Sequence, residues 1–178
     1  MAQPRALAHI HSDVGRHAFP CEVRLHGGND RVGIPVIDQS VLVWGGPDEK
    51  SRMIRNLGMA CQEWGFFMVI NHGVPEGLMG AMEAVTREFF DLPEEEKRKY
   101  EGKGLVDAVR YGTSFGSGHM FFWRDFVKVL VRPKFHSPSK PQGFGDLLAE
   151  YCEKMHDMGK VLLKGISESL GLDTEHIN

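Results

Sequence analysis

One short apolar segment constrains this chain more than any other feature. Residues 66–70 form an aromatic and β-branched run that lies between Gly65 and the turn residues 71–73. A run this short between glycines is typical of a buried strand. Residues 34–38 and 123–131 are the other strand candidates, and two or three short strands cannot bury both faces of a sheet. The pattern therefore predicts a buried strand whose sheet is incomplete in this chain.

Most of the remaining sequence is predicted to be helical. Apolar side chains recur at three- and four-residue steps over residues 50–64, 78–89 and 147–170, as one face of an amphipathic helix requires. Pro93 opens a short acidic helix. Residues 1–33 are predicted to be a poorly structured arm, and the glycine-rich residues 101–120 a long loop. The fold class is α+β and mostly helical, with one domain over residues 34–178.

Composition excludes several classes of protein. Net charge is −3 and no long block of one sign occurs, so neither nucleic acid nor an anionic membrane surface is an expected partner. The three cysteines match no CxxC pattern and are expected to be free thiols. No apolar run of eighteen or more residues suggests a membrane helix, and the N-terminus resembles no secretory signal. The expected location is the cytoplasm.

Six sequence blocks, in order, resemble the plant-type iron(II)/2-oxoglutarate-dependent dioxygenases. The most recognisable runs from Cys61 through Asn71-His72-Gly73 to Pro75. The resemblance covers roughly residues 34–178. The six blocks are residues 34–38, 61–75, 89–97, 111–115, 123–125 and 166–172.

The resemblance implies that the catalytic machinery lies beyond this chain. In that family a jelly-roll (double-stranded β-helix) core carries a His-x-Asp pair and a distant His on iron(II), and an Arg-x-Ser pair binds 2-oxoglutarate. Two imidazoles and one carboxylate suit iron(II) because they leave positions open for further ligands. The helices and strands here would flank that core. No catalytic, metal or cofactor-binding residue is therefore expected in this chain, and iron(II), 2-oxoglutarate and a small-molecule substrate are implied for the full-length family.

A His-x-Asp motif, which could supply two iron ligands, occurs near the N-terminus. His11-Ser12-Asp13 precedes His72 by a separation not unlike the family's. However, the intervening residues 50–64 are predicted to be a helix rather than strands, and no Arg-x-Ser follows His72 closely. Motif matches need their structural context. His72 is predicted instead to cap a strand-to-helix turn with a side-chain hydrogen bond, and the alternative is that it is simply exposed.

The block around Tyr111 offers the candidate site residues. The resemblance places a tyrosine of this block at the active-site mouth in some family members, so Tyr111 is a possible substrate-pocket residue, with Phe115 and Trp123 as further candidates. The alternative is that Trp123 packs in the core and Phe115 anchors the loop, since aromatic side chains fill either role. The glycines of residues 112–118 lack the Gly-Lys-Ser/Thr of a phosphate loop.

Three functional hypotheses remain open from the sequence. The chain is the N-terminal part of an oxygenase that oxidises a small organic, specialised metabolite, and is non-catalytic alone. Alternatively, it is a truncated, non-catalytic interaction module, or a gene-model fragment. In each case an uncovered strand edge and apolar helix stripe predict self-association.

Overall fold

The computed structural model describes residues 7–11, 33–102, 104, 107–115 and 121–177, with the backbone alone at residues 7–11, 115 and 121–123. It contains five strands and five helices within these residues. In chain order they are β1 (Leu7–His11), β2 (Val36–Asp38), α1 (Gln39–Trp44), α2 (Pro47–Glu63), β3 (Met68–Ile70), α3 (Glu76–Asp91), α4 (Glu94–Arg98), β4 (Val109–Phe115), β5 (Phe121–Leu130) and α5 (Phe144–Ser169).

The chain divides into two compact units. Unit 1 comprises residues 1–16 and 75–153, and unit 2 comprises residues 17–74 and 154–178. Helix α5 therefore contributes its first part to unit 1 and its last part to unit 2. No helix in the described part of the chain is both long and apolar enough to cross a membrane.

Unit 1 is built on a three-stranded antiparallel sheet. The strand order is β1-β5-β4, with Leu7 opposite Leu130 and Val109 opposite Val129. Strand alternation directs Tyr111, Val127 and Val129 into one buried cluster with residues of α3 and α5. The buried members of that cluster are Met82, Val85, Phe89, Tyr111, Val127, Val129, Phe144 and Leu148.

Unit 2 has a smaller sheet and a smaller core. Strands β2 and β3 pair in parallel over three residues each, with Val36 opposite Met68. The buried cluster comprises Ile37, Leu42 and Leu57, against which side chains of α2 and the last part of α5 pack. Helix α1 begins at an N-cap, since Asp38 accepts a hydrogen bond from the Ser40 amide at 2.9 Å. This cap joins β2 directly to α1.

Most elements agree with the sequence patterns. Helices α2, α3 and α5 lie where apolar periodicity predicted them, and α4, β2, β3 and β5 lie within the segments predicted as a short acidic helix and as strands. Gly171 follows α5 with a φ of 71°, and the Leu172 amide donates to the Ser167 carbonyl at 3.0 Å. A glycine in the left-handed region is the expected end of a helix.

Three elements differ from the predictions. Strand β4 occupies part of the segment predicted to be a loop. Along it Val109, Tyr111 and Thr113 alternate with charged or small residues, which is the period-two pattern of a strand. The surrounding glycines obscured this pattern. Strand β1 lies within the predicted arm, and its five residues are an exception to that prediction. Helix α1 was not predicted. The described chain thus has five strands, and the expected count of two or three was wrong.

Candidate functional site

Strands β4 and β5 of unit 1 carry a cluster of polar side chains that are linked by hydrogen bonds. Thr113 and Asp125 are directly opposite in the antiparallel register. The Thr113 hydroxyl donates to Asp125 Oδ1 at 2.7 Å, and the Tyr111 hydroxyl donates to Asp125 Oδ2 at 3.0 Å. One carboxylate therefore holds two hydroxyl groups of the neighbouring strand, each on its own oxygen atom.

Core packing fixes the ring of Tyr111. The side chain is only 5% exposed, and its ring centroid lies 6.2 Å from that of Phe89 and 6.4 Å from that of Phe90. These aromatic contacts have edge-on or tilted geometry, which ring quadrupoles favour. The phenol therefore has an apolar body in the core and a hydroxyl that finds its partner at the hairpin.

An ammonium group covers one face of the same ring. Lys97 Nζ lies 5.6 Å from the Tyr111 ring centroid, a distance typical of a cation–π contact. Lys97 also donates to the Phe90 carbonyl at 2.9 Å and pairs with Glu94 Oε2 at 3.3 Å. Its side chain is only 13% exposed. Lys97 thus connects the end of α3, helix α4 and the Tyr111 ring.

The electrostatics keep Tyr111 protonated. Burial is the largest cause that raises the pKa of the Tyr111 hydroxyl, and the hydrogen bond to Asp125 and that carboxylate's charge raise it further. The hydroxyl is therefore a hydrogen-bond donor at neutral pH and no general base. The cluster can therefore hold the Tyr111 phenol in one orientation and link strand β4 to strand β5.

The predicted site residues share this hairpin. Tyr111 and Phe115 lie on β4 and Trp123 lies on β5, where Phe115 pairs with Phe121. The side chains of Phe115 and Trp123 lie outside the described residues. Tyr111 belongs to the buried cluster of unit 1, and its role towards a substrate remains a prediction.

Sequence reasoning missed Thr113, Asp125 and Lys97. All three lie in recognised blocks, namely residues 111–115, 123–125 and 89–97. The signal that unites Thr113 and Asp125 is the cross-strand register of β4 and β5, which was invisible while residues 101–120 were predicted to be a loop. Lys97 sits in a charge-rich helix and looks like a solvated side chain by pattern alone.

The turn after β3 carries the second polar network. His72 Nδ1 accepts a hydrogen bond from the Val74 amide at 3.1 Å, which confirms the predicted turn role of His72. Asn71 adopts a left-handed φ of 51° and donates from Nδ2 to Asp38 Oδ2 at 2.8 Å. The Ser40 hydroxyl bond lowers the pKa of the Asp38 carboxyl most, burial opposes it, and the Asn71 bond lowers it further. This network ties the ends of β2 and β3 together.

The described residues do not fit a facial triad for iron. Among them, no group of three or more His, Cys, Asp or Glu side chains is close enough together to hold a metal ion. The Asp13 residue and the His11 side chain of the N-terminal His-x-Asp lie outside the described part of the chain. His72 already uses Nδ1 within its turn. No step of a metal-dependent reaction is assigned to these residues.

Comparison with known proteins gives one family. The profile described as "non-haem dioxygenase in morphine synthesis N-terminal" matches residues 34–147. A rice (Oryza sativa subsp. japonica) protein named 2-oxoglutarate-dependent dioxygenase 19 is 46% identical over 142 residues, which are 79% of this chain and 42% of that protein. The Arabidopsis thaliana protein DMR6-LIKE OXYGENASE 1 is 38% identical over 151 residues, or 82% of this chain and 42% of its own length.

Solved structures agree with the sequence matches. The crystal structure of JOX2 in complex with 2OG, Fe and JA superposes with a TM-score of 0.61 at 29% identity, covering 81% of this chain and 42% of JOX2. The rice dioxygenase for auxin oxidation has a TM-score of 0.59 at 24% identity, covering 79% of this chain and 46% of that one, and supports the fold alone. The chain spans about two fifths of the length of the curated relatives that it matches.

Proposed function

The chain belongs to the non-haem dioxygenase N-terminal family of plant 2-oxoglutarate-dependent dioxygenases, and we propose that it forms the packing domain of an oxygenase for a small organic metabolite. By packing domain we mean the domain that packs against the catalytic core. In this proposal the chain has no catalytic activity by itself. In this proposal iron(II) and 2-oxoglutarate would supply the oxidative chemistry, held by a jelly-roll core against which the residues described above would pack.

One observation carries the proposal. The rice relative matches 79% of this chain at 46% identity, yet the match spans only 42% of the relative. About four fifths of this chain therefore corresponds to less than half of a longer dioxygenase. A domain that corresponds to less than half of an enzyme is expected to need the remainder for activity.

The small sheet of unit 2 supports the same proposal. Parallel strands are normally covered on both faces and joined to further strands, whereas β2 and β3 form a pair of three-residue strands. All three residues of β3 are only partly buried. Nearby apolar side chains are strongly exposed, with Phe66 at 54%, Met59 at 50% and Ile34 at 47%. We assign this β3 surface (Ile34, Met59, Phe66 and β3) to contact with the remainder of the oxygenase fold.

Within this proposal the hairpin cluster positions a substrate-facing element. Asp125 accepts hydrogen bonds from the Tyr111 and Thr113 hydroxyl groups, and the paired strands β4 and β5 carry all three candidate pocket residues. Tyr111, Phe115 and Trp123 are the proposed pocket residues. Their contribution would be shape and orientation, since the Tyr111 hydroxyl is already engaged by Asp125.

A chimeric enzyme tests the proposal. This chain, fused to the C-terminal part of the rice relative that it does not match, should convert 2-oxoglutarate and dioxygen to succinate and carbon dioxide when iron(II) is supplied. The chain alone should not. Phe66→Asp in the chimera should lower turnover strongly, because it places a charge on the β3 surface, whereas Phe135→Asp, at a side chain 40% exposed in unit 1, should not. Turnover by the chain alone, or equal effects of the two substitutions, would refute the proposal.

A further inference from the structure

The sheet of unit 1 has a second face, opposite the buried cluster, that the proposed function leaves unexplained. Strand alternation directs Arg110 of β4 and Lys128 of β5 to this face, because the residues next to them in sequence pack in the cluster. The two residues are directly opposite each other in the antiparallel register. Two positive side chains of neighbouring strands therefore lie side by side.

Phe126 shares this face with the two cations. It is opposite Gly112 in the register, and a Cβ atom at Gly112 would lie 3.3 Å from Phe126 Cζ, so the ring lies across the glycine. The Arg110 guanidinium is 5.5 Å and the Lys128 ammonium 4.8 Å from the ring centroid, which are cation–π distances. We call the surface formed by Arg110, Phe126 and Lys128 the outer face of the sheet.

The outer face holds like charges close together. Like charges directly opposite in an antiparallel pair are destabilising, and both residues are half-buried, where water and salt screen charges less. Among the described residues, neither Arg110 nor Lys128 forms an ion pair. Asp107 lies near the Arg110 stem, since a Cβ atom at Gly102 would contact both, but its Oδ2 accepts from the Gly104 amide at 3.0 Å. The cation–π contacts offset part of the repulsion, and an anion bound by both cations would offset the rest.

The chemistry of the outer face selects the class of anion. A guanidinium binds a carboxylate through two parallel hydrogen bonds, and an ammonium adds a point charge beside it. Along β5, apolar residues flank Lys128 on the same face, namely Phe126 on one side and Leu130 on the other. The matching ligand therefore has a carboxylate group next to a small apolar body.

We propose that Arg110 and Lys128 bind the carboxylate group of a small organic acid whose apolar part contacts the outer face near Leu130. The inference rests on the proposed function for the role of this acid, which is the substrate of the oxygenase. Binding of the acid by the chain is separate from that role and can be measured without iron(II) or 2-oxoglutarate.

NMR titration of the full chain, labelled with ¹⁵N, tests the site at constant ionic strength. Sodium benzoate should bind, and benzamide, which has the same size and no charge, should not. Lys128→Gln and Arg110→Gln should each raise the Kd for benzoate at least about fivefold, because each removes a charge-assisted contact. The matched control Arg52→Gln, at an exposed arginine of unit 2, should leave the Kd unchanged.

Several results would overturn the inference. These are no binding of benzoate, binding that both glutamine variants leave unchanged, and equal binding of benzamide. Inorganic phosphate that binds more tightly than benzoate would overturn the assignment to a carboxylate. The amide spectra of the variants check that the fold is retained, and Lys128→Arg, which keeps the positive charge, should retain binding.

The chimera separates this inference from the proposed function. Turnover of 2-oxoglutarate that small aromatic acids stimulate and their amides do not, with a higher KM for the acid in Lys128→Gln, supports both. Turnover that does not discriminate acids from amides overturns the substrate role of the acid, and the proposed function stands. An inactive chimera overturns the proposed function and with it the substrate role, whereas benzoate binding through Lys128 would still establish the carboxylate site.

Discussion

The two units of this chain bury their apolar side chains to different degrees. In unit 1 a ten-residue strand pairs on both sides, and Phe89 at its core is fully buried among Phe90, Tyr100, Tyr111 and Phe144. In unit 2 the paired strands have three residues each, and β3 is only partly buried. Unit 1 thus contains most of its own core, whereas unit 2 leaves apolar surface available for another surface to cover.

Stability should therefore depend mainly on unit 1, and association mainly on unit 2. Burial of apolar area stabilises a fold, so substitutions in unit 1 should cost most. Exposed apolar area promotes association, so substitutions on unit 2 should mainly change what the chain binds.

The sharpest contrast is between two phenylalanines. Phe89→Ala should cost about 3–5 kcal/mol of unfolding free energy, as expected for a fully buried aromatic. Phe67→Ala, at a half-buried side chain of unit 2, should cost about 1–2 kcal/mol. Urea unfolding followed by circular dichroism measures both. Equal costs would contradict the proposed difference between the units, because they would show that unit 2 is as tightly packed as unit 1.

Two carboxylates extend the comparison to polar contacts. Asp125→Ala leaves the buried Tyr111 hydroxyl without its acceptor and should cost about 1–3 kcal/mol. Asp38→Ala removes the N-cap of α1 and should cost about 1 kcal/mol. In Tyr111→Phe the donor is absent as well, so adding Asp125→Ala to that background should cost less than Asp125→Ala alone. Additive costs in this double-mutant cycle would show that the two side chains are not coupled.

The smallest expected effect is a pH dependence in unit 2. Because hydrogen bonds hold the pKa of Asp38 below its usual value, the folded chain binds that proton less readily than the unfolded chain. The stabilisation is therefore present above about pH 4 and is lost as pH falls through the lowered pKa.

Asp38→Asn isolates this effect. The difference in unfolding free energy between wild type and Asp38→Asn should shrink as pH is lowered from about 6 to below 4. Chemical denaturation at a series of pH values provides the measurement. A difference that stays constant across this range would show that the charge of Asp38 contributes nothing.

The sequence predicted the regular elements well and the contacts of the site poorly. Helices α2, α3 and α5 follow from apolar periodicity, because each buries one face. Strand β4 was not predicted because its alternation lies in a glycine-rich segment. Strand β1 was not predicted because a five-residue strand in a polar context has a weak pattern. Both are held by pairing with β5, and for β1 that pairing joins segments that no local window of sequence contains.

The same limit explains the hairpin cluster. Tyr111 was singled out by resemblance, yet its partner Asp125 lies 14 positions away and is fixed only by strand register. His72 was easier, since its acceptor role involves the amide of Val74, two residues later. Local hydrogen bonds can be anticipated from residue type and order. Cross-strand hydrogen bonds cannot be anticipated until the pairing of the strands is known.

Iron binding by the chain alone tests the central claim most directly, namely that these residues form the packing domain of an oxygenase rather than its catalytic centre. Under anaerobic conditions, iron(II) and 2-oxoglutarate added to the purified chain should produce no visible charge-transfer band, whereas the chimera with the C-terminal part of the rice relative should produce one. A stoichiometric band with the chain alone that disappears in His11→Ala or Asp13→Ala would contradict the claim.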